Sequence, residues 1–212
     1  MSLFGVEQML SIELKESDRQ IQSKIYKALA KEIRKSFKAS AGKIRTQLLP
    51  LMSSTLYASP EIMSLSGGSL RFDFGLTNDP STDIVQAIME SIDVDATDVQ
   101  ATAHGIKGSL IITAQPTDYT NLLLLPTAVQ GTEKGVNLPW LEWLLTLGDA
   151  IIVANFGVEY APAGRTGGAH MVIKERPFKV NSLYSGTADD NFITRAFAKI
   201  TPQIKDVIRR SL

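Results

Sequence analysis

The sequence predicts an α+β fold: a long N-terminal helix, a small and mainly antiparallel β-sheet with short helices inserted in it, and a C-terminal helix. Two observations carry this. Apolar residues recur at helical spacing near both ends of the chain. Between them lie short alternating segments punctuated by glycine, proline and asparagine, which is the pattern of short strands and turns. A length of 212 residues fits one domain. Within it, residues 1–50 hold the long helical segment and residues 161–186 form an extended loop.

The N-terminal helix is marked by Ile21, Ile25, Leu29, Ile33, Phe37, Ile44 and Leu48, spaced by four or seven. Ser17 with Gln20 makes a capping-box pair at its start. Pro50 disfavours helical geometry at Leu49, so the helix is expected to end there. About 30 residues make a rod of about 45 Å, long enough to lie across a sheet or along a neighbouring subunit. Residues 53–69, with Pro60 and Gly67-Gly68, read as a turn-rich connector. Residues 70–76 alternate apolar and polar and predict a half-buried strand.

Asn78-Asp79-Pro80 is a helix-start signal, with Asp79 as N-cap, and Ile84, Val85, Ile88 and Ile92 follow at helical spacing. Residues 99–104 and 109–114 predict two strands joined through Gly105-Ile106-Lys107-Gly108, with His104 at the turn. Asp118 caps a short helix through Leu122 and Leu125 that Pro126 limits. Asn137-Leu138-Pro139 opens a helix over 140–147, which Gly148 closes. Residues 150–160 predict one strand, and a short strand at 171–173 lies inside the loop rich in Gly, Pro and Arg. The last helix begins near 187–190 and carries Phe192, Ala196, Ile200, Ile204, Ile208 and Leu212 on one face; Pro202 predicts a kink or a split.

Lys plus Arg and Asp plus Glu number 22 each, and apolar residues make up 44% of the chain. That excludes a disordered chain, a collagen and a strongly basic nucleic-acid coat. It also argues against recruitment of the whole molecule to DNA or an anionic membrane by net charge. The absence of cysteine excludes a disulfide framework, a thiol nucleophile and cysteine-based metal sites. No stretch approaches the roughly 20 apolar residues of a membrane span, so no membrane partner is expected. Residues 1–14 carry Glu7 and Glu13 and lack the basic start of a signal peptide, so export by that route is not expected.

The charge is unevenly placed. Residues 11–45 hold ten basic and four acidic side chains, whereas residues 71–133 hold two basic and nine acidic. Charge runs are usually solvated faces. A basic end and an acidic middle also permit head-to-tail stacking of copies.

Catalytic patterns are few. His104 and His170 have no second histidine at metal-ligand spacing. Gly164-Arg165-Thr166-Gly167-Gly168 has the composition of an anion nest but lacks the Lys and the following helix of a phosphate loop, and Gly131-Thr132-Glu133-Lys134-Gly135 fails the same test. There is no Gly-x-Ser-x-Gly elbow. Glu142, Asp149 and Glu159 are the only carboxylates to consider as an acid–base pair, and nothing in their spacing brings two together. The expectation is no catalytic, cofactor or metal site. Trp140 and Trp143 share a helical face with Leu144 and Leu147 beside them, as core anchors or as a subunit contact. Arg165, Lys174, Arg176 and Lys179 make the long loop basic. It is either a solvent loop or a segment that orders on a neighbouring subunit or a phosphate backbone, with weak contacts multiplied around a ring.

Four stretches resemble a family of virion structural proteins of tailed bacteriophages, the neck and tail-completion group. They are Ser66-Gly67-Gly68-Ser69-Leu70-Arg71-Phe72-Asp73-Phe74-Gly75-Leu76, Leu138-Pro139-Trp140-Leu141-Glu142-Trp143-Leu144-Leu145, Gly164-Arg165-Thr166-Gly167-Gly168-Ala169-His170-Met171, and Ser185-Gly186-Thr187-Ala188-Asp189-Asp190-Asn191-Phe192-Ile193-Thr194-Arg195-Ala196. One departure is Arg176-Pro177-Phe178-Lys179-Val180, where the family carries Trp and Pro. The resemblance implies a non-enzymatic neck component, assembled in the host cytoplasm into a homo-oligomeric ring of the virion. That ring would join the portal or adaptor of the DNA-filled head to the tail. A tail terminator that caps the tail tube and sheath is the alternative, and a virion-associated hydrolase a remote one. In this reading Arg165, Lys174, Arg176 and Lys179 make polar contacts with a neighbour, an adjacent ring or packaged DNA in the channel. Trp140 and Trp143 pack the base of the loop.

Overall fold

The computed structural model describes residues 15–97, 99–131, 137–162 and 164–211. Among these residues the architecture is α+β: a long first helix, five antiparallel ladders of two strands each, and a long closing helix.

Helix α1 (Asp18–Tyr57) starts where expected, with Gln20 Oε1 accepting from the Ser17 amide at 2.9 Å. It does not end at Pro50. Ile44, Leu48, Met52 and Leu56 are buried at four-residue steps on both sides of that proline, while Pro50 itself is exposed. Burial of the continuing stripe outweighs the cost of about 3 kcal/mol for an interior proline. Forty residues make α1 about 60 Å long. The early part of the predicted stripe is left outside the core, with Ile25 at 51% and Leu29 at 47% exposure.

The expected connector and strand are helices instead: α2 (Pro60–Gly67) and α3 (Ser69–Asp73). Leu70 and Phe74 are both buried, and a spacing of four satisfies a strand's alternation and a helical turn equally. Local bonds decide it. Phe74 N donates to Leu70 O at 3.1 Å, Leu76 N to Arg71 O at 2.9 Å, and the Leu70 amide to the buried Ser64 hydroxyl at 3.0 Å. Helix α4 (Ser81–Ser91) buries Ile84, Val85 and Ile88; it starts one residue later than expected, with Pro80 in the cap position, and Asp79 just before it accepts from Ser81 N at 2.8 Å.

Strand β1 (Asp93–Ala96) pairs with β4 (Leu110–Thr113), and β2 (Gln100–Thr102) pairs with β3 (Gly105–Lys107). The predicted hairpin through residues 105–108 is therefore displaced. Its turn is Ala103-His104, and the 110–113 strand returns to β1. Helix α5 (Thr120–Leu123), a 3-10 turn (Pro126–Ala128), the ladder of β5 (Gln130–Gly131) and β6 (Asn137–Leu138), and α6 (Trp140–Leu145) follow. The predicted strand over 150–160 is two strands, β7 (Ile151–Val153) and β8 (Phe156–Glu159), broken by Asn155 at φ 61. Strand β9 (His170–Ile173) pairs with β8, and β10 (Phe178–Lys179) with β7, so the 161–186 segment is only partly a loop. Helix α7 (Phe192–Ser211) runs unbroken through Pro202, which is exposed like Pro50.

The main core joins Met52, Leu56, Ile62, Leu65, Leu70, Phe74 and Trp140 to Phe192 and Ile200. A second cluster sets Ile44 and Leu48 of α1 against Val94 of β1, with Val207 and Ile208 of α7 packed on it. Asn191, fully buried, locks the closing helix to this body. Its Oδ1 accepts from the Ile193 amide at 3.1 Å as an N-cap, and its Nδ2 donates to the Tyr119 hydroxyl at 2.7 Å and to Thr187 O at 3.0 Å.

Asn191→Ala removes a cap and strands buried acceptors, so urea unfolding should show a loss of about 3 kcal/mol. Pro50→Ala should gain about 1–3 kcal/mol in the same assay, because the helix already runs through this exposed position. A loss on Pro50→Ala would contradict the continuous helix.

Candidate interaction surface

Residues 66–76, 138–145, 164–171 and 185–196 meet in pairs. Residues 66–76 hold residues 164–171. Arg165 donates through Nη2 to Gly75 O at 2.9 Å and through Nη1 to Gly131 O at 2.8 Å. Gly168 lies so close to Phe72 that a Cβ would stand 2.3 Å from its ring, so a side chain there would displace the ring. Just before that loop, the Tyr160 hydroxyl donates to Asp73 Oδ1 at 2.5 Å. Residues 138–145 meet residues 185–196 in the same way. A Cβ on Gly186 would lie 2.2 Å from Leu144 O, and Asn191 Nδ2 donates to Leu145 O at 3.3 Å. Phe74 and Trp140, with ring centroids 5.5 Å apart, join the two pairs into one frame.

A buried carboxylate closes the frame. Glu61 on α2 is almost fully covered and receives Arg195 Nη1 at 3.0 Å, while Arg195 Nε reaches Asp190 at 2.7 Å and its Nη2 donates to Ser185 O at 3.1 Å. Sequence reasoning missed Glu61, Asp73, Tyr160, Asn191 and Arg195 as structural nodes. Their partners lie far away in sequence, so no local spacing marks them.

The six expected contact residues separate clearly. Trp140 is a core residue with no exposed surface, and its Nε1 donates to Thr127 O at 2.8 Å. It is a core anchor and offers no face to a partner. Trp143 is half-buried against the same core. Arg165 is spent on the two carbonyls of its own chain. Lys179 pairs with Asp149 at 3.1 Å, and Lys174 Nζ lies 3.4 Å from Val158 O. Arg176 is exposed and has no ion pair or hydrogen bond among the described residues. Beside it the β8–β9 ladder presents Met171 at 45% and Ile173 at 83% exposure. An apolar ridge next to Lys174 and Arg176, on an arm whose root is pinned to α3, is the part of the expected surface that faces outward.

The candidate acid–base residues are dispersed. Asp149 holds Lys179, Glu159 faces His170 across the ladder at 3.8 Å, and Glu142 lies in α6. His104 is exposed in its turn. Among the described residues no group of His, Asp and Glu is arranged to hold a metal ion, and no helix is long and apolar enough to cross a membrane. The second glycine-rich segment, around residues 132–136, lies outside the described residues. Two shallow grooves lie beside α1, of about 400 Å³ against Met89 and Glu90 and about 320 Å³ against Val99 and Gln100. Comparison with protein families, with curated proteins and with solved structures finds no match.

Burial pushes the Asp73 carboxyl above its ordinary 3.8, against the opposing hydrogen bond from Tyr160. A raised folded value means the fold keeps the proton that the unfolded chain gives up, so this residue's contribution is complete in acid and is lost as pH rises through the folded value. Asp73→Asn keeps an acceptor for Tyr160 and removes the buried charge. Thermal melts from about pH 3.5 to 7 should therefore show the variant gaining on the parent as pH rises. A constant offset across that range would assign the shift to another group.

Proposed function

We propose that the chain is a structural, non-enzymatic component of a tailed-phage virion, a neck or tail-completion protein that forms a homo-oligomeric ring between the portal or adaptor and the tail. The observation that carries this reading is the frame described above. The four stretches that resemble the neck family are distributed over 130 residues, yet they contact one another in pairs and define one rigid centre. Such a centre suits a protein whose task is to present surfaces at fixed angles. The outward features fit that task as well: a projecting first helix with uncovered apolar residues, and an arm tipped by Ile173 and Arg176.

In this reading the arm reaches a neighbouring copy, the adjacent ring or packaged DNA. The ring joins the virion at the head–tail junction after assembly in the host cytoplasm. Light scattering on the chain alone, and then with purified heads or tails, tests it. The expected outcome is a ring of fixed stoichiometry retained on one of the two. Retention on heads supports the neck assignment, and retention on tails alone supports a terminator that caps the tail tube. A chain retained by neither refutes the reading.

A further inference from the structure

The first helix carries a face made of one kind of side chain. Lys24, Lys27, Lys31, Lys35 and Lys38 of α1 follow at steps of three and four, so at about 100° per residue they fall within an arc of about 80°. All five are exposed. The acids of α1, Asp18 and Glu32, lie outside that arc, on the side of Ile25 and Leu29. Lys24 pairs with Glu16, just before the helix. Lys27, Lys31, Lys35 and Lys38 have no ion pair or hydrogen bond among the described residues. Like charges four apart, as in Lys27–Lys31 and Lys31–Lys35, weaken a helix. A face that served solvation alone would be more stable with acids interleaved.

A groove runs beside this column. Lys27 and Lys31 form one lip of the shallow hollow of about 320 Å³ whose other wall is Val99, Gln100 and Ala101. Arg34 Nη2 donates to Val99 O at 2.8 Å, which ties the start of β2 to the helix. On β3, the exposed Lys107 stands opposite Gln100 and so on the same face of the ladder. Column and groove together make a basic track along about 21 Å of α1.

The arc holds neither an aliphatic nor an aromatic side chain, and this selects among anionic partners. A helix that lies on a lipid surface sinks an apolar face into it. A protein interface has an apolar or aromatic centre. Single-stranded nucleic acid is held by bases stacked on aromatic rings. A duplex backbone needs only cations spaced along a line, because its affinity comes from released counterions. Over about 21 Å of axis, one strand of a duplex presents about six phosphates.

We infer that this face of α1 binds the phosphate backbone of duplex DNA, without reading base sequence. The chain is neutral overall, so the attraction belongs to the face and not to the whole molecule. A single chain carries the entire track, so the inference does not need the ring. Where the ring reading holds, it moves the contact with packaged DNA from the arm to the first helix.

Fluorescence anisotropy tests it, with the full chain titrated into a labelled duplex of about 20 base pairs at about 50 to 200 mM salt. Four unpaired lysines should make log Kd rise with log salt at a slope of about 3.5. Lys31→Ala with Lys35→Ala should bring the slope to about 1.8 and weaken binding about a hundredfold at about 50 mM salt. Lys31→Arg with Lys35→Arg should keep both, and duplexes of unrelated sequence should bind alike. Lys174→Ala with Arg176→Ala, on the arm, should change neither. The helix positions are exposed and alanine is a strong helix former, so the variants should fold, which circular dichroism checks.

Absence of binding at about 50 mM salt with chain at about 100 µM overturns the inference, as does an unchanged slope in the Lys31→Ala, Lys35→Ala chain. A slope lowered by the arm variant instead assigns DNA to the arm. Tighter binding to a single strand of the same length, or to phosphatidylserine vesicles, with the same lysine dependence, overturns the choice of duplex DNA. Ring assembly is read separately, as mass on heads or tails, so the ring reading and this contact can fail independently.

Discussion

Every strand described in this protein belongs to a ladder of only two. Such a ladder is marginal in water by itself, so each must lean on something else. The helices supply the support. Val94 of β1 and Ile112 of β4 close over Ile44 and Leu48 of α1, and Val207 and Ile208 of α7 complete that cluster. Phe178 of β10 and Val180 just beyond it are buried, which seats the β7–β10 ladder. The long first helix is thus the element the β1–β4 and β2–β3 ladders are arranged around. Its persistence through Pro50 is a consequence: the helix ties Leu48 of the second cluster to Met52 and Leu56 of the main core, and a break there would uncouple the two.

Polar nodes fix what the apolar core only gathers. Asn191 meets the hydroxyl of Tyr119, the carbonyls of Leu145 and Thr187, and the first amides of α7. A buried amide with all these partners specifies one arrangement, because any shift leaves several groups unpaired at once. Arg195 does the same between α7 and α2, with Glu61 as its covered partner. The two close approaches at Gly168 and Gly186 belong to this logic, since Gly186 lies against the Leu144 carbonyl where a side chain would not fit and Gly168 lies against the Phe72 ring, which a side chain would displace.

This explains which features were legible in the sequence. Helices with long apolar stripes were: α1, α4 and α7 follow from spacing alone, and Asp79 and Gln20 mark the starts of α4 and α1. Residues 70–76 were misjudged because Leu70 and Phe74 satisfy both periods, and the deciding bond comes from Ser64. The prolines were misjudged because their cost is local and the burial that outweighs it is tertiary. Strand partners failed for the same reason: the glycines around Lys107 suggested a turn, but β4 finds its partner in β1, across an intervening hairpin. The expected contact residues divided by exposure. The pattern that marks Trp140 as a large apolar anchor cannot say whether its partner is the same chain, and here it is.

What remains on the outside then has a simple physical meaning. A core that consumes Trp140, Ile44 and Phe192 has no further use for Ile25, Leu29 or Ile111, yet these stay apolar and uncovered. Single exposed aliphatic residues are ordinary on a protein surface. Their surroundings differ: Leu29 lies about 160° around α1 from Lys27 and Lys31, two residues away on either side, whereas Ile111 stands opposite Asp95 on the ladder.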